Sequence, residues 1–368
     1  MGQSTSDRNV TAVFSAAHFA VDLACIFLLT AFIVLMVRDR SVWMLCVLTY
    51  NFCAFACQLP IGALGDRTGN PFLMSAFGCL LIAAAYGMVY FGKQFLPEDM
   101  LLVIWPLLIS VTAGLGNSCF HVGGGIEVLR RSGISAALPG VFVSTGAFGV
   151  WLGPVLARGQ AARNMGVLAG ILLMAVCAAV LAAMRKDSAW GYAPALPRAE
   201  DMLGAASLCL IVTVLLRSYA GTVMGFSWKK ETLGFLFTAG VVCGKAAGGF
   251  LGDRIGWMRA ALLSLGLSAV LFGLAENLPA CGIAAVFFFN MTMPLTLSAL
   301  AALYGDSVGT AFGMLTLALF LGTLPSMMTS AGWISAGTFR SLPAVALLSA
   351  GLMSAGLSLY RRTRGETV

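Results

Sequence analysis

Asp22 stands about eleven residues into an apolar stretch of about 25 residues. A charged side chain at such depth costs about 3 kcal/mol on insertion scales, so it needs a reason to be there. His18 precedes it by four residues, which on a helix puts both side chains on one face. A carboxylate beside an imidazole can carry a proton, with the histidine tuning its affinity or relaying it. The competing role is a structural ion pair or a hydrogen bond between helices. The only other histidine, His121, lies in a second apolar stretch and is followed by Gly123-Gly124-Gly125. There the helix is expected to thin or unwind, so His121 serves either proton relay or packing at a kink. Asp22, His18 and His121 are the proton-coupling candidates, and Glu127 is expected at an interface or loop.

Two embedded cations, Arg217 and Lys245, can attract an anionic or phosphonate-like solute to a central cavity. They could instead neutralise Asp22, and the sequence leaves both roles open. Lys245 stands 187 residues after Gln58, the offset of a repeat described below. Gln58, Asn51, Asn117 and Asn290 are further solute contacts or, equally, polar glue between helices.

Other chemistry finds little support. The ten cysteines form no C-x-x-C pair and mostly sit in apolar stretches, as small packing residues do. Gly240-Val241-Val242-Cys243-Gly244-Lys245-Ala246 resembles a phosphate-binding loop, but it is one residue short and lacks the Ser/Thr for magnesium. Gly116-Asn117-Ser118-Cys119 lacks the closing glycine of an intramembrane serine-protease motif, and neither Asp66 nor Asp253 sits in G-x-G-D. No nucleophile–base arrangement stands out. Neither an enzyme, a cofactor nor a metal is expected. The net charge of +7 fits cationic loops better than nucleic-acid binding.

The elements that must position these residues are membrane helices. Hydrophobic residues make up 59% of the chain and charged residues 10%, with a mean hydropathy of +0.92. That composition calls for lipid as solvent. About 20 apolar residues cross the hydrocarbon core. Runs of that length recur at about 11–37, 41–65, 71–92, 100–125, 135–157, 164–184, 202–223, 232–252, 257–275, 279–303, 308–333 and 341–360. They are too continuous for alternating barrel strands. The expected fold is therefore all-α, with 12 transmembrane helices in two pseudo-symmetric six-helix halves. These are residues 1–187 and 202–368, joined by a polar linker, 188–201, that carries Pro194 and Pro197. With the N-terminus inside, twelve Lys and Arg fall in inside segments and eight outside, which favours both termini in the cytoplasm.

The first residues are not expected to be a cleavable signal, since the apolar stretch is too long and lacks an A-x-A site. Met1-Gly2-Gln3-Ser4-Thr5-Ser6 matches a loose acylation pattern from which a chain of many spans gains nothing. The sequons at Asn9 and Asn290 are read as chance.

One motif occurs twice. Gly62-Ala63-Leu64-Gly65-Asp66-Arg67-Thr68-Gly69 and Gly249-Phe250-Leu251-Gly252-Asp253-Arg254-Ile255-Gly256 share a G-x-x-x-D-R-x-G frame, and their aspartates are 187 residues apart. Gly62 and Gly249 let helices approach closely. Asp66-Arg67 and Asp253-Arg254 make charged turns able to bond neighbouring helix ends. Gly69 and Gly256 close the frames, and Asn70-Pro71 supplies a cap and first-turn proline for the next helix.

The paired hairpins resemble the signature loop of the major facilitator superfamily. The first copy has Asn70 and Pro71 where basic residues are usual, and the second keeps only Arg259. Further features resemble the fosmidomycin-resistance type of efflux transporter. They are His18-Phe19 with Asp22, Gln58-Leu59-Pro60, Gly114-Leu115-Gly116-Asn117 leading to Phe120-His121, Gly146 to Pro154, and Arg217-Ser218. Gly149-Val150-Trp151-Leu152-Gly153-Pro154 is also similar to a drug/proton antiporter motif, with Ala157-Arg158 in place of its closing glycines. The resemblance implies alternating-access transport in a bacterial inner or cell membrane by a monomer, with a small-molecule solute, protons and the lipid bilayer as partners. Proton antiport that exports an organic or drug-like, anionic solute is the leading expectation. Proton-coupled uptake of an organic anion is the runner-up. An intramembrane hydrolase or a scaffold is argued against by the twin hairpins.

Overall fold

In the computed structural model the described residues are 4–37, 39–95, 103–189, 200–330, 332 and 341–363. Gly2 of the acylation pattern, Pro194 and Pro197 of the linker, and the loop cations Arg38, Arg198, Arg340 and Arg364 lie outside them.

Twelve helices follow one another: α1 (Thr5–Met36), α2 (Arg40–Thr68), α3 (Pro71–Phe95), α4 (Ile104–Ser132), α5 (Ala137–Ala157), α6 (Gln160–Ala183), α7 (Glu200–Val223), α8 (Glu231–Ile255), α9 (Trp257–Leu274), α10 (Pro279–Tyr304), α11 (Val308–Ser330) and α12 (Leu342–Thr363). No strand occurs among the described residues. Among the described residues eleven helices are long and apolar enough to cross a membrane. The twelfth, α4, has 29 residues and carries Glu127, Arg130 and Arg131 in its last turns. Large apolar side chains such as Phe77, Met165, Leu168, Val270 and Leu347 are exposed on the outside of the bundle, as lipid-facing positions require. The protein is an integral membrane protein.

Local chemistry sets the helix ends. Ser4 and Asp7 form a reciprocal capping box at the start of α1. Asn70 Oδ1 accepts from Phe72 N and Leu73 N at 3.1 and 3.3 Å, the cap anticipated before Pro71. Gly69 and Gly256 have φ of 149° and 90°, so the last glycine of each repeated frame supplies a turn that other residues adopt at a cost.

The helix pairs repeat with a shift of six. α1 packs on α5 as α7 packs on α11; α3 packs on α4 and α6 as α9 packs on α10 and α12. The halves meet through α2 against α11 and α5 against α8. At these crossings backbone meets backbone. A Cβ on Gly62 would strike the Gly309 carbonyl, and one on Gly249 the Ala136 carbonyl.

Each hairpin aspartate reaches across to the opposite half. Asp66 accepts from Gly309 N (2.7 Å), Thr310 N (2.8 Å) and Thr310 Oγ1 (2.8 Å) at the start of α11. Asp253 accepts from Ala136 N (2.8 Å), Ala137 N (3.0 Å) and Ser135 Oγ (2.6 Å) at the start of α5. A carboxylate on the free N–H groups of a helix N-terminus is favourable on both hydrogen-bonding and dipole grounds. The hairpin end of the bundle is thereby closed, while Arg67 and Arg254 remain exposed.

One expectation about helix shape is corrected, and one about Glu127. α4 does not unwind at Gly123-Gly124-Gly125 but runs on to Ser132, ending before Gly133 at φ 57°. The three glycines instead admit neighbours. A Cβ there would meet Ser75 and Pro71, the rings of Phe142 and Phe14, and the ring of Phe312, in that order. The irregular backbone lies elsewhere, in π turns at Leu29–Ile33 of α1 and Phe52–Ala56 of α2.

Glu127 is fully buried and holds the start of the linker. It accepts from Ala189 N (2.8 Å), Ser188 Oγ (3.1 Å) and Arg131 Nε (2.7 Å). Arg131 also binds Asp7 at 3.0 Å.

Candidate functional site

α1 and α4 bring the two histidines and Asp22 together. His18 Nε2 lies 3.2 Å from Asp22 Oδ2 and His121 Nε2 lies 3.6 Å from Asp22 Oδ1. The two Nε2 atoms are 2.9 Å apart, with the rings edge-on at 89°. Asn117, one turn before His121, donates from Nδ2 to Asp22 Oδ1 at 3.3 Å.

The outer ring nitrogens each meet a carbonyl. His18 Nδ1 is 2.7 Å from the Phe142 carbonyl and His121 Nδ1 is 2.9 Å from the Asn117 carbonyl. A carbonyl only accepts, so both Nδ1 atoms carry hydrogen. With both rings neutral and Asp22 ionised, two Nε2 lone pairs and a carboxylate would face one another with no hydrogen among them. Such crowding of acceptors is unfavourable in a buried site. A proton shared among His18 Nε2, His121 Nε2 and the Asp22 carboxylate would relieve that crowding.

The same three side chains could hold a metal ion, since one ligand atom of each lies within 4.8 Å of the others. Two nitrogens on a tetrahedral zinc, each at about 2.0–2.1 Å, would stand roughly 3.3 Å apart. The 2.9 Å observed is the spacing of a shared proton.

α5 makes room for this cluster. A Cβ on Gly146 would collide with Asp22 Oδ2 and His18 Nε2, and one on Gly149 with the Phe19 carbonyl. The glycine-proline run of α5 thus serves close packing on α1. Overpacking costs about 1–3 kcal/mol, so Gly146→Ala is expected to displace the Asp22 carboxylate. Solute-linked proton movement in liposomes should fall about tenfold or more, with the detergent-solubilised protein still monodisperse. Wild-type rates in that variant would contradict the packing argument.

The cluster lines a cavity of about 560 Å³ between the halves. Asn51, Gln58 and Asn117 also line it on the first half, and Arg217, Lys245 and Lys229 on the second. Asn290 does not; its Nδ2 donates within α10 to Val286 O at 2.9 Å. Arg217 is 7% exposed, and its Nη1 approaches Thr296 Oγ1 at 3.4 Å. Among the described residues neither Arg217 nor Lys245 forms an ion pair with Asp22; the carboxylate is flanked by histidines instead. Lys245 nevertheless acts electrostatically on both Arg217 and Asp22.

Lys229 is the functional candidate that the sequence concealed. Trp228-Lys229-Lys230 looks like an ordinary cationic loop between spans. The Lys229 ammonium instead stands 4.0 Å from the centre of the Phe237 ring; the residue as a whole is exposed, and partial desolvation of the ammonium against that ring pushes its pKa below the usual lysine value. The aromatic residues around it, Phe226, Trp228 and Phe237, were the available signal. Trp151, which lies within the glycine-proline run of α5 and packs on Phe235 with ring centres 5.2 Å apart, also lines the cavity, as does Thr296, which carries no sequence signature.

No protein-family model and no curated protein matches the chain. Solved structures do. The human organic anion transporter MFSD10 (TETRAN) superposes with a TM-score of 0.68 at 15% identity, over 96% of this chain and 99% of that one. The E. coli fucose:proton symporter FucP gives 0.64 at 12% identity, over 97% and 99%. A bacterial homologue of the iron transporter ferroportin, in an outward-facing state with soaked iron, gives 0.67 at 15% identity, over 96% and 98%. At these identities the likeness establishes the fold. The chain has the twelve-helix fold of major facilitator superfamily transporters.

Proposed function

We propose that the protein is a secondary transporter that exports a small organic anion in exchange for protons by alternating access. The observation that carries this reading is the Asp22–His18–His121 triangle, whose geometry suits a shared proton and which shares a cavity with Arg217, Lys245 and Lys229. Residues 1–187 and 202–368 rock about that cavity as two bodies joined by the 188–201 linker, within a single monomer. Both termini lie in the cytoplasm, so the hairpins seal the cytoplasmic side of a bacterial cell membrane. In this state the triangle loads its proton and the cationic wall releases the anion. The deprotonated triangle and the anion-filled wall belong to the return stroke, so each ligand biases the equilibrium that the other reads.

MFSD10 is an organic anion transporter and FucP a proton symporter, so both halves of the reading have precedents on this fold. Export rather than uptake rests on the resemblance to fosmidomycin-resistance and drug/proton antiporters. The test is reconstitution in liposomes with an internal pH dye and a panel of organic anions and anionic drugs. Anion entering one way should drive protons the other way. Protons moving with the anion would replace antiport by proton-coupled uptake, and anion exchange with no proton movement would remove coupling altogether.

Lys229, at the end of the cavity away from the hairpins, attracts the anion at the mouth by which export releases it, and by which anion supplied on that side is captured when the transporter runs in reverse. Lys229→Gln is expected to raise the half-saturating anion concentration roughly two- to fivefold with little change in maximal rate. A lysine whose pKa is lowered by partial desolvation loses its charge earlier as pH rises. Anion capture should therefore decline on the alkaline side before the ordinary lysine value of about 10.4. Lys229→Arg, charged throughout, should keep capture over the same range. Identical pH profiles for lysine and arginine would remove Lys229 from this role.

A further inference from the structure

The two walls of the cavity have opposite hydrogen-bonding character. On the first half the amide orientations are fixed by their partners. Gln58 Nε2 donates to the Ala54 carbonyl at 2.5 Å, and Asn117 Nδ2 donates to Asp22 Oδ1 at 3.3 Å. Their oxygens, Gln58 Oε1 and Asn117 Oδ1, are therefore acceptors. Both are buried and neither has a partner among the described residues. The residues are 0% and 2% exposed, respectively. With the Asp22 carboxylate and the two Nε2 atoms, this wall is rich in acceptors, of which Gln58 Oε1 and Asn117 Oδ1 lack a donor. A buried polar atom left without a partner is costly, so a ligand that supplies hydrogens here is favoured.

The second wall is its complement. Arg217, Lys245 and Lys229 offer only N–H donors and positive charge, and no carboxylate from the second half lines the cavity. A simple anion satisfies this wall and leaves the first one bare. A simple amine does the reverse. A volume of about 560 Å³ is that of a site for one small molecule touching both walls, within the usual range of about 300–1,000 Å³.

We infer that the solute is amphoteric: an acidic group bound at Arg217 and Lys245, and a protonated amine bound at Asp22, Asn117 and Gln58. This deepens the transport function proposed above and rests on it. The ammonium does at the triangle what the shared proton does, supplying N–H to the Asp22 carboxylate and the Nε2 lone pairs. Its arrival releases that proton to the side on which the cavity is open. Exchange of solute for proton then follows from occupancy of one site by one or the other.

The test uses full-length protein in lipid nanodiscs and three sets of probes. They are ω-aminoalkylphosphonates with three to six methylenes, the same alkylphosphonates without the amine, and the alkylamines without the acid. Binding is read by calorimetry, and proton release by an indicator in weak buffer. At least one aminophosphonate should bind tenfold or more tighter than both of its parents and release about one proton. Asp22→Asn should reduce its affinity to that of the amine-free phosphonate and abolish the proton release. Arg217→Gln should reduce it to that of the alkylamine. Size-exclusion profiles and binding of the unaffected parent show that each variant is folded.

Amine-free phosphonates that bind as tightly and still release a proton would overturn the amphoteric solute while leaving anion–proton exchange intact. An aminophosphonate preference that survives Asp22→Asn would equally overturn it. Binding of every probe without proton release, or of none, would overturn both this inference and the transport mechanism beneath it.

Discussion

Asp22→Asn is expected to reduce solute-driven proton movement in liposomes to the level of protein-free vesicles, a loss of roughly 100-fold or more if the assay spans that range. Exchange of labelled solute at saturating concentration should persist, because it needs no net proton transfer. The asymmetry follows from the triangle. Asparagine presents N–H groups at the place proposed for the shared proton, so the Nε2 lone pairs of His18 and His121 stay satisfied. The variant is thus fixed in a state like the loaded one: folded, able to bind, and unable to discharge. His18→Gln and His121→Gln should lower the coupled rate but leave a residue of it, since the carboxylate survives in each. Proton flux at the wild-type rate in Asp22→Asn would remove this residue from coupling, whatever the geometry around it.

The second large effect is expected at the hairpins. Asp66 and Asp253 each cap a helix of the opposite half, with three hydrogen bonds apiece. A carboxylate at a helix N-terminus contributes about 1 kcal/mol, and about 2 kcal/mol when partly buried. The two sites share no partner, so their losses should add. Asp66→Asn with Asp253→Asn is then expected to cost the closed hairpin end roughly 2 kcal/mol, a roughly 30-fold shift toward its opening. Paired spin labels at the ends of α2 and α11 would record that shift as a longer distance population. The turnover rate should fall because one limb of the cycle is depopulated. Solute affinity should remain within about twofold of wild type, since neither aspartate lines the cavity. A selective loss of binding would instead place these carboxylates in the solute site.

Much of this molecule is legible in the sequence, for physical reasons that also mark the limit. Helix positions follow from the length of apolar runs, because a bilayer imposes one thickness on every span. The twin hairpins are visible because a sharp turn needs particular glycines and charges wherever it occurs. Asp22 and His18 could be paired from their four-residue spacing alone. That His121 completes the cluster could not, because it depends on the register of α4 against α1. The proton argument lay further out of reach, since it turns on the backbone carbonyls of Phe142 and Asn117. Gly123-Gly124-Gly125 was misleading because glycine weakens a helix in isolation yet is favoured where helices touch, and only the neighbours Phe142 and Phe312 decide between the two. Lys229 was hidden by the positive charge that makes loops look ordinary, and that Asn51 lines the cavity while Asn290 does not could not be read from two asparagines that each donate to their own helix.

The placement of α5 has a mechanical consequence. Along one side it carries Gly146, pressed against the carboxylate of Asp22 and the ring of His18, and Gly149, pressed against the backbone of α1. Six residues earlier in the chain, Gly140 rests on the carbonyl of Lys245, with 3.0 Å between that oxygen and the position a Cβ would take. One stiff rod therefore bears on the acid at one point and on the backbone beneath the cation at another. Without a side chain at either bearing there is no soft rotamer to absorb a displacement. A movement of a few tenths of an ångström at the acid is transmitted to the cation as tilt of the rod instead of being lost in side-chain rearrangement. The acid and the cation are thus joined through the helix between them as well as through whatever occupies the cavity.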